Sequence, residues 1–596
     1  MSKERNDICM SKWDLSPFYP GLEAWEEDLK QLPGHIEKLA SFAGKLHEYD
    51  TFKAYYEAQE AAVKLMYRLY GYIHLNSDLN LKDQDKLSKS QQVMLMFANL
   101  NQKTAYVSPE IIALGEEKVM DFVNRDDFLK TYRFPMEKLF FQQKHVLDGV
   151  QEQLLANFAP TRGVPSSLHQ SLSIIDAVDQ TVTLSDGKEV TVTLSNFRSL
   201  IPTLPTAEDR QKVFEAAFKR YKDNKSAFAA TYNLVLQHQA AQYKSRKYPS
   251  ALDAALFKNN IPTTVFHNLK DAAYENTAPI KRYIELRRKH LGLDKYRTYD
   301  RFLMLAKDDT KYSYEEARRL FFEAIKNLDE TFVNNQKEAL EEGFVDAYPQ
   351  DGKRTGAYSS GLYGFHPYIL LNHDETLDAV FTLAHEAGHS AHTLYANRHQ
   401  PMATADYTIF VAEIASTFNE HVLLDYLISK AESKAQKIAL IEKAIDGIMG
   451  TFFRQTLFAT YEFKANELVE KGVPITESTL SKIMIDLYKH YYDIDITEEG
   501  YKPYVWAYIP HLFHTPFYVY QYATSYSASL KIYENVKNKV DGAMTQYLDL
   551  LKSGGSDYPV NQAAKAGADL TDKETFMAVI NRFNHLIDQL EKALNE

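Results

Sequence analysis

The sequence predicts a mainly α-helical fold of many helices with a few short strands. Three observations carry this. Long polar segments at 22–48, 50–75 and 81–104 repeat apolar residues every three or four positions. The stretch 180–195 alternates in the β manner instead, and the stretch 344–372 is rich in Gly, Ser, Tyr and Pro.

Residues 54–75, AYYEAQEAAVKLMYRLYGYIHL, show the helical pattern well: an apolar face recurs each turn and no Pro interrupts it. Helices of this length joined by short polar turns suggest a bundle or array. No repeat of fixed period exists, which argues against a solenoid. QTVTLSDGKEVTVTLS (180–195) alternates around Asp186-Gly187, a hairpin signal. It marks an expected seam between an N-terminal helical lobe, 1–195, and a second domain, 196–596. The break at 344–372 ends in the strand-like PYILLN. A long helix is expected from about 374, where Asn372 and Glu375 have the spacing of a capping box.

Bulk composition narrows the function. At 596 residues the chain exceeds a single ordinary core. Hydrophobic residues at 45% and charged residues at 25% are ordinary for a soluble globular protein. A net charge of -12 argues against nucleic acid as a partner, because phosphate binding needs excess Lys and Arg. One cysteine, Cys9, permits no internal disulfide. The N-terminus carries no apolar run of signal-peptide length, and no stretch suits a membrane span. A cytoplasmic protein with no membrane partner is expected. The 40 Tyr against 3 Trp fit packing or the lining of a cleft.

The chemistry lies in DETLDAVFTLAHEAGHSAHTLYAN. His385-Glu386-Ala387-Gly388-His389 is an HExxH motif. On a helix, residues four apart share a face, so both imidazoles can hold one cation and Glu386 can reach a water on it. Chance would supply such a motif about 0.04 times in a chain with this His content. The alternative is a solvated helix face with two coincident histidines. The flanking VFTLA and the small Ala387, Gly388, Ser390 and Ala391 oppose that, because they describe a closely packed helix. A catalytic zinc takes three protein ligands and keeps one open position. The pattern HExxHxxGxxH is excluded, since His392 stands where it needs Gly and Tyr395 where it needs His. His392 lies about 10 Å beyond His385 along the axis and suits packing or support. Glu413, in DYTIFVAEIASTFNEHVLLDYLI, is the better third ligand: it follows His389 by 24 residues, enough for the helix to end and a second to return antiparallel, and it sits among apolar residues, where an unpaired carboxylate is costly. Glu420, two turns on, can orient a ligand imidazole or form a structural salt bridge.

AHEAGHSAH (384–392), VAEIASTFNEH (411–421), IPHLFHTPFYVYQYATSY (509–526), DAYPQDGKRTGAY (346–358) and WDLSPFYP (13–20) resemble the M3 metallopeptidases, within them the oligoendopeptidase F branch. The likeness covers nearly the whole chain. It implies a two-lobed ellipsoid with a deep internal substrate channel. It implies one Zn²⁺ per chain held by His385, His389 and Glu413, with Glu386 as general base. It also implies a His and a Tyr that hold the oxyanion. His511 and Tyr520 match best, with Tyr518, Tyr522 and His514 as alternatives because HTPFY replaces a Gly-Gly-Tyr stretch of the mammalian members. Residues Tyr368 to Leu371 look like the family's edge strand, which makes Tyr368 and Leu370 substrate-binding candidates together with Tyr518 and His514. Lys353 and Arg354 are read as solvated loop charges, or else as contacts to a substrate carboxylate.

The expected activity is zinc-dependent endopeptidase cleavage of short peptides by a water that Glu386 activates. One alternative is a peptidyl-dipeptidase or carboxypeptidase on the same architecture, which needs fixed cations at the end of the cleft. The other is a zinc-bearing peptide-binding protein without turnover, against which the presence of Glu386 argues.

Overall fold

In the computed structural model, which describes residues 12–596, the chain is mainly α-helical. Cys9 lies outside the described residues. The chain forms two compact units, each assembled from three stretches. Among the described residues the first comprises those up to 144, 310–427 and 532–568, and the second 145–309, 428–531 and 569–596. The seam expected at 195 falls inside the second unit's first stretch. No helix among the described residues is long and apolar enough to cross a membrane.

Strands are few. β1 (Gln180–Thr183) and β2 (Glu189–Val192) pair antiparallel, with Gln180 opposite Val192. Gly187 supplies the left-handed turn residue at φ 83°, and the Asp186 carboxylate accepts from Lys188 N–H at 2.9 Å. This is the hairpin the alternation predicts. In the first unit, β3 (Val345–Asp346), β4 (Tyr358–Ser360) and β5 (Tyr368–Leu370) form a sheet in the order β3-β5-β4. β3 runs parallel and β4 antiparallel to β5.

The first unit's N-terminal helices pack around one core. Residues 22–48 were expected as one helix but form two, Leu22–Leu29 and Leu32–Ala40. Pro33 explains the break: it lacks an N–H, so it starts a helix and cannot continue one. Helix α1 (Tyr49–Asp78) buries Phe52, Tyr55, Tyr56, Met66, Leu69 and Ile73 on one face. Trp25 packs there, and its indole N–H donates to Leu69 O at 2.9 Å. α2 (Gln84–Lys103) begins at Asp83, whose carboxylate caps Lys86 N–H. The last turn of α1 reaches the small sheet through Asp78, which is 1% exposed. It accepts from Tyr358 Oη at 2.8 Å and pairs with Arg354 at 2.8 Å. The strand β4 is thereby fixed to α1.

Candidate active site

Two helices of the first unit carry the site. α3 (Leu377–His399) starts one turn later than the sequence suggests. Its cap is Thr376, whose hydroxyl accepts from Ala379 N–H at 3.2 Å. Asn372 instead donates to Arg354 O and Gly356 O, and Glu375 stands in a left-handed turn at φ 63°. α4 (Ile409–Lys430) crosses α3 at Gly388. A Cβ there would lie 2.6 Å from Ala415 O and 2.7 Å from Ser416 Cα. The absent side chain is what lets the two backbones meet. Asn419 stitches the crossing, donating to Ala384 O at 2.9 Å and to Gln336 Oε1 at 3.0 Å.

That crossing brings three donors together. His385 Nε2 and His389 Nε2 are 3.2 Å apart, and Glu413 Oε2 lies 3.4 and 3.5 Å from them. The ligand edges of a tetrahedral zinc site are about 3.3–3.4 Å, given bonds near 2.0–2.1 Å. The three atoms therefore fit three corners around one ion. They come from a single turn of α3 and the facing residue of α4, as the sequence suggests. Glu420 Oε1 accepts from His385 Nδ1 at 2.5 Å, which turns Nε2 toward the other donors.

The electrostatics follow from burial. Burial opposes the charged form of His385, but the bond to Glu420 and the nearby Glu386 and Glu413 outweigh it, and its pKa rises to about 9. Burial and the charge on His385 push His389 down to about 4. A neutral His389 keeps a lone pair for a cation. Burial raises Glu386 to about 7, His385 pulls it down and Glu413 pushes it up. Glu386 is 6% exposed, and its Oε2 has no hydrogen-bond partner among the described residues. Such an orphaned oxygen, beside the three donors, suits a carboxylate that meets a water or substrate.

His385, Glu386, His389 and Glu413 line a cavity of about 1330 Å³, counting its open mouth. Tyr358 and Ser359 of β4 form part of its wall, with Tyr67 and Tyr407. Ser359 Oγ and Ser390 Oγ are 2.8 Å apart, which ties β4 to α3. His392 takes no part. It is fully buried, stacked on Tyr407 with ring centroids 3.7 Å apart, and burial drives it to about 3.

Several expected substrate contacts are corrected. β5 is the central strand, paired on both sides, so it presents no edge. Tyr368 and Leu370 are 1% and 0% exposed, and Tyr368 Oη donates to Asp14 O at 2.7 Å. Both are core residues, and the open edge beside the cavity belongs to β4. Lys353 is not a solvated charge, whereas Arg354 stays exposed as expected. Lys353 is buried against Asp346 at 2.5 Å, and Arg354 is held by Asp78. In the second unit, Tyr520 opens α5 (Tyr520–Lys537) at 2% exposure with its ring edge-on to Phe266. It is a packing residue. Its neighbours differ: Tyr522 Oη is 3.4 Å from His511 Nε2, and the Tyr518 ring lies parallel to His511 at 5.7 Å. All three are half-buried. His514 is exposed and edge-on to His169. Helix phase separates 520 from 522, a distinction that a Tyr-rich string does not display.

The model of peptidase family M3 matches residues 202–582, and that of oligopeptidase F matches residues 110–177. The chain is 34% identical to oligopeptidase PepF of Bacillus subtilis over 98% of its own length and 87% of the relative's. It is 32% identical to an oligoendopeptidase F homolog of Borreliella burgdorferi, over 99% of both. The crystal structure of oligoendopeptidase-F from Enterococcus faecium superposes with a TM-score of 0.73 at 26% identity, covering 96% of this chain and 98% of that one.

Proposed function

Because the chain belongs to peptidase family M3, and within it to the oligoendopeptidase F branch, we propose that it is a cytoplasmic zinc endopeptidase that hydrolyses internal bonds of short peptides. The observation that carries this is the triad of donors at tetrahedral spacing, with a buried carboxyl on the adjacent residue. Zinc held by His385, His389 and Glu413 supplies Lewis-acid polarisation of the scissile carbonyl and acidifies water. Glu386 takes the proton of the attacking water and passes it to the departing amine. Its raised pKa suits that exchange, and a cation beside it favours the anionic base needed first. Glu420 holds the His385 ring in register through Nδ1. The open edge of β4 offers backbone groups to an extended peptide, which would align it across the cavity as an added strand. Tyr522 and His511 are the candidate donors to the oxyanion.

Internal cleavage is favoured over removal of C-terminal dipeptides by the state of Lys353, which is buried against Asp346 and so does not reach a substrate C-terminus.

The test is hydrolysis of a short internally quenched peptide blocked at both ends, with zinc measured on the same protein. Wild type should cleave it, and Glu386→Gln should keep its zinc while losing about 10²–10⁴-fold in rate. Equal cleavage by the two proteins, or a wild type that binds no metal, defeats the proposal.

A further inference from the structure

The second unit holds a cavity of different chemistry. It contains about 990 Å³ of space, counting its open mouth. Four cationic side chains line it, Arg198, Arg301, Arg454 and Lys502, against one acid, Asp446. Asp446 is already occupied: Tyr283 Oη donates to it at 3.0 Å, and Arg287 is its strongest cationic neighbour. Arg198 donates to Tyr508 Oη at 2.5 Å.

The other three cations have no such partner. Arg301, Arg454 and Lys502 form no ion pair within 4.0 Å and no side-chain hydrogen bond among the described residues. Arg454 Nε is buried and unsatisfied. Lys502 is 6% exposed, with Nζ 5.1 Å from the Tyr488 ring centroid. Glu499 acts on Lys502 from beyond ion-pair distance, while its oxygens accept from the Thr298 N–H and hydroxyl at 2.8 and 2.5 Å. The cations also feel one another. Burial and then Arg454 lower Arg301 to about 10, and burial and then Arg301 depress Lys502.

Lys502 is buried and Arg301 and Arg454 are half-buried, so water solvates these charges only in part, and a guanidinium cannot shed its proton to escape the cost. Two unpaired arginines and a lysine in one cavity therefore define a vacancy for negative charge. A single carboxylate would leave most of it unmet, whereas a phosphate matches the arginine fork and carries more charge. The remaining wall is aromatic and apolar: Tyr296, Phe302, Tyr488 and Tyr492, with Met449 and Ile494. It suits a flat or apolar remainder. We infer that this cavity binds a phosphate-bearing small molecule, its phosphates on Arg301, Arg454 and Lys502 and its remainder against the tyrosines.

The test uses the full chain with ADP or inorganic pyrophosphate, against sodium chloride at equal ionic strength. ADP should raise Tm by a few degrees and slow hydrogen exchange in 296–302, 446–454 and 488–502. Pyrophosphate giving the same result assigns the affinity to the phosphates; ADP acting alone assigns a share to the aromatic wall. The double variant Arg301→Gln, Arg454→Gln should lose affinity by about tenfold or more. No stabilisation by either compound overturns the inference, as does stabilisation that persists undiminished in the folded variant. Protection falling on 385–413 instead also overturns it, because it would mark capture at the metal-ligand cavity. The exchange measurement on wild type decides the matter if the variant does not fold.

Discussion

Glu420 accepts a hydrogen bond from His385 Nδ1 at 2.5 Å, and the two residues come from different helices. The bond fixes both the tautomer and the tilt of the ring that presents Nε2 to the metal position. Glu420→Ala should therefore weaken zinc affinity by about 10–100-fold, and Glu420→Gln by less, because the amide oxygen can still accept. Competition with a chelator measures this. Unchanged affinity in both variants would show that Glu420 is only a salt-bridge partner.

The crossing at Gly388 gives a second expectation. Alanine at a mid-helix glycine normally gains about 1 kcal/mol of helix stability. Here the new methyl meets Ala415 O and Ser416 Cα, which are backbone atoms and cannot swing aside. Overpacking of this kind costs about 1–3 kcal/mol, so Gly388→Ala should be destabilising on balance. It should also push α4 outward and carry Glu413 from its two histidines. A lower Tm with reduced zinc occupancy is the expected result; a raised Tm with full occupancy refutes it.

Glu462 offers a test by pH. It is 1% exposed, accepts from Phe517 N–H at 2.7 Å, and burial pushes it up to about 8 from an ordinary 4.5. The folded chain thus keeps a proton that the unfolded chain releases. This group's contribution is fully present below about pH 4.5 and is lost as pH rises towards 8, with a slope of at most about 1.4 kcal/mol per pH unit. Glu462→Gln keeps the acceptor and removes the titration. Its Tm should match wild type near pH 5 and exceed it near pH 8.5. An offset that is the same at both pH values would refute the shift.

The sequence displays whatever depends on helical period. His385 and His389 are four apart, Glu420 is seven beyond Glu413, and the hairpin announces itself through alternation around Asp186-Gly187. It hides whatever depends on distant pairing. PYILLN reads as a strand, but only the partners Val345–Asp346 and Tyr358–Ser360 reveal that it is central. Lys353 does lie in a loop, but the loop folds back so that its ammonium meets Asp346 of β3, seven residues earlier. The interleaving of the two units is equally silent, since two of the chain's crossings, at 427/428 and 531/532, fall inside continuous helices and leave no break in the pattern.

The aromatic segment 509–526 supplies the last test. Phe517 adopts φ 53°, a left-handed conformation unfavourable for a bulky residue, and the Glu462 carboxylate holds its N–H there. The turn sets Tyr518 and Tyr522 beside His511, while Tyr520 points into packing against Phe266. Tyr522 is half-buried with its hydroxyl beside His511; Tyr520 is enclosed. Tyr522→Phe should lower kcat by about 10²–10³-fold with zinc content unchanged, as loss of one oxyanion donor does. Tyr520→Phe should leave kcat within about twofold, because it removes no group that meets substrate. If the two variants exchange these outcomes, Tyr520 is the donor and its enclosure in this structure is relieved when peptide binds.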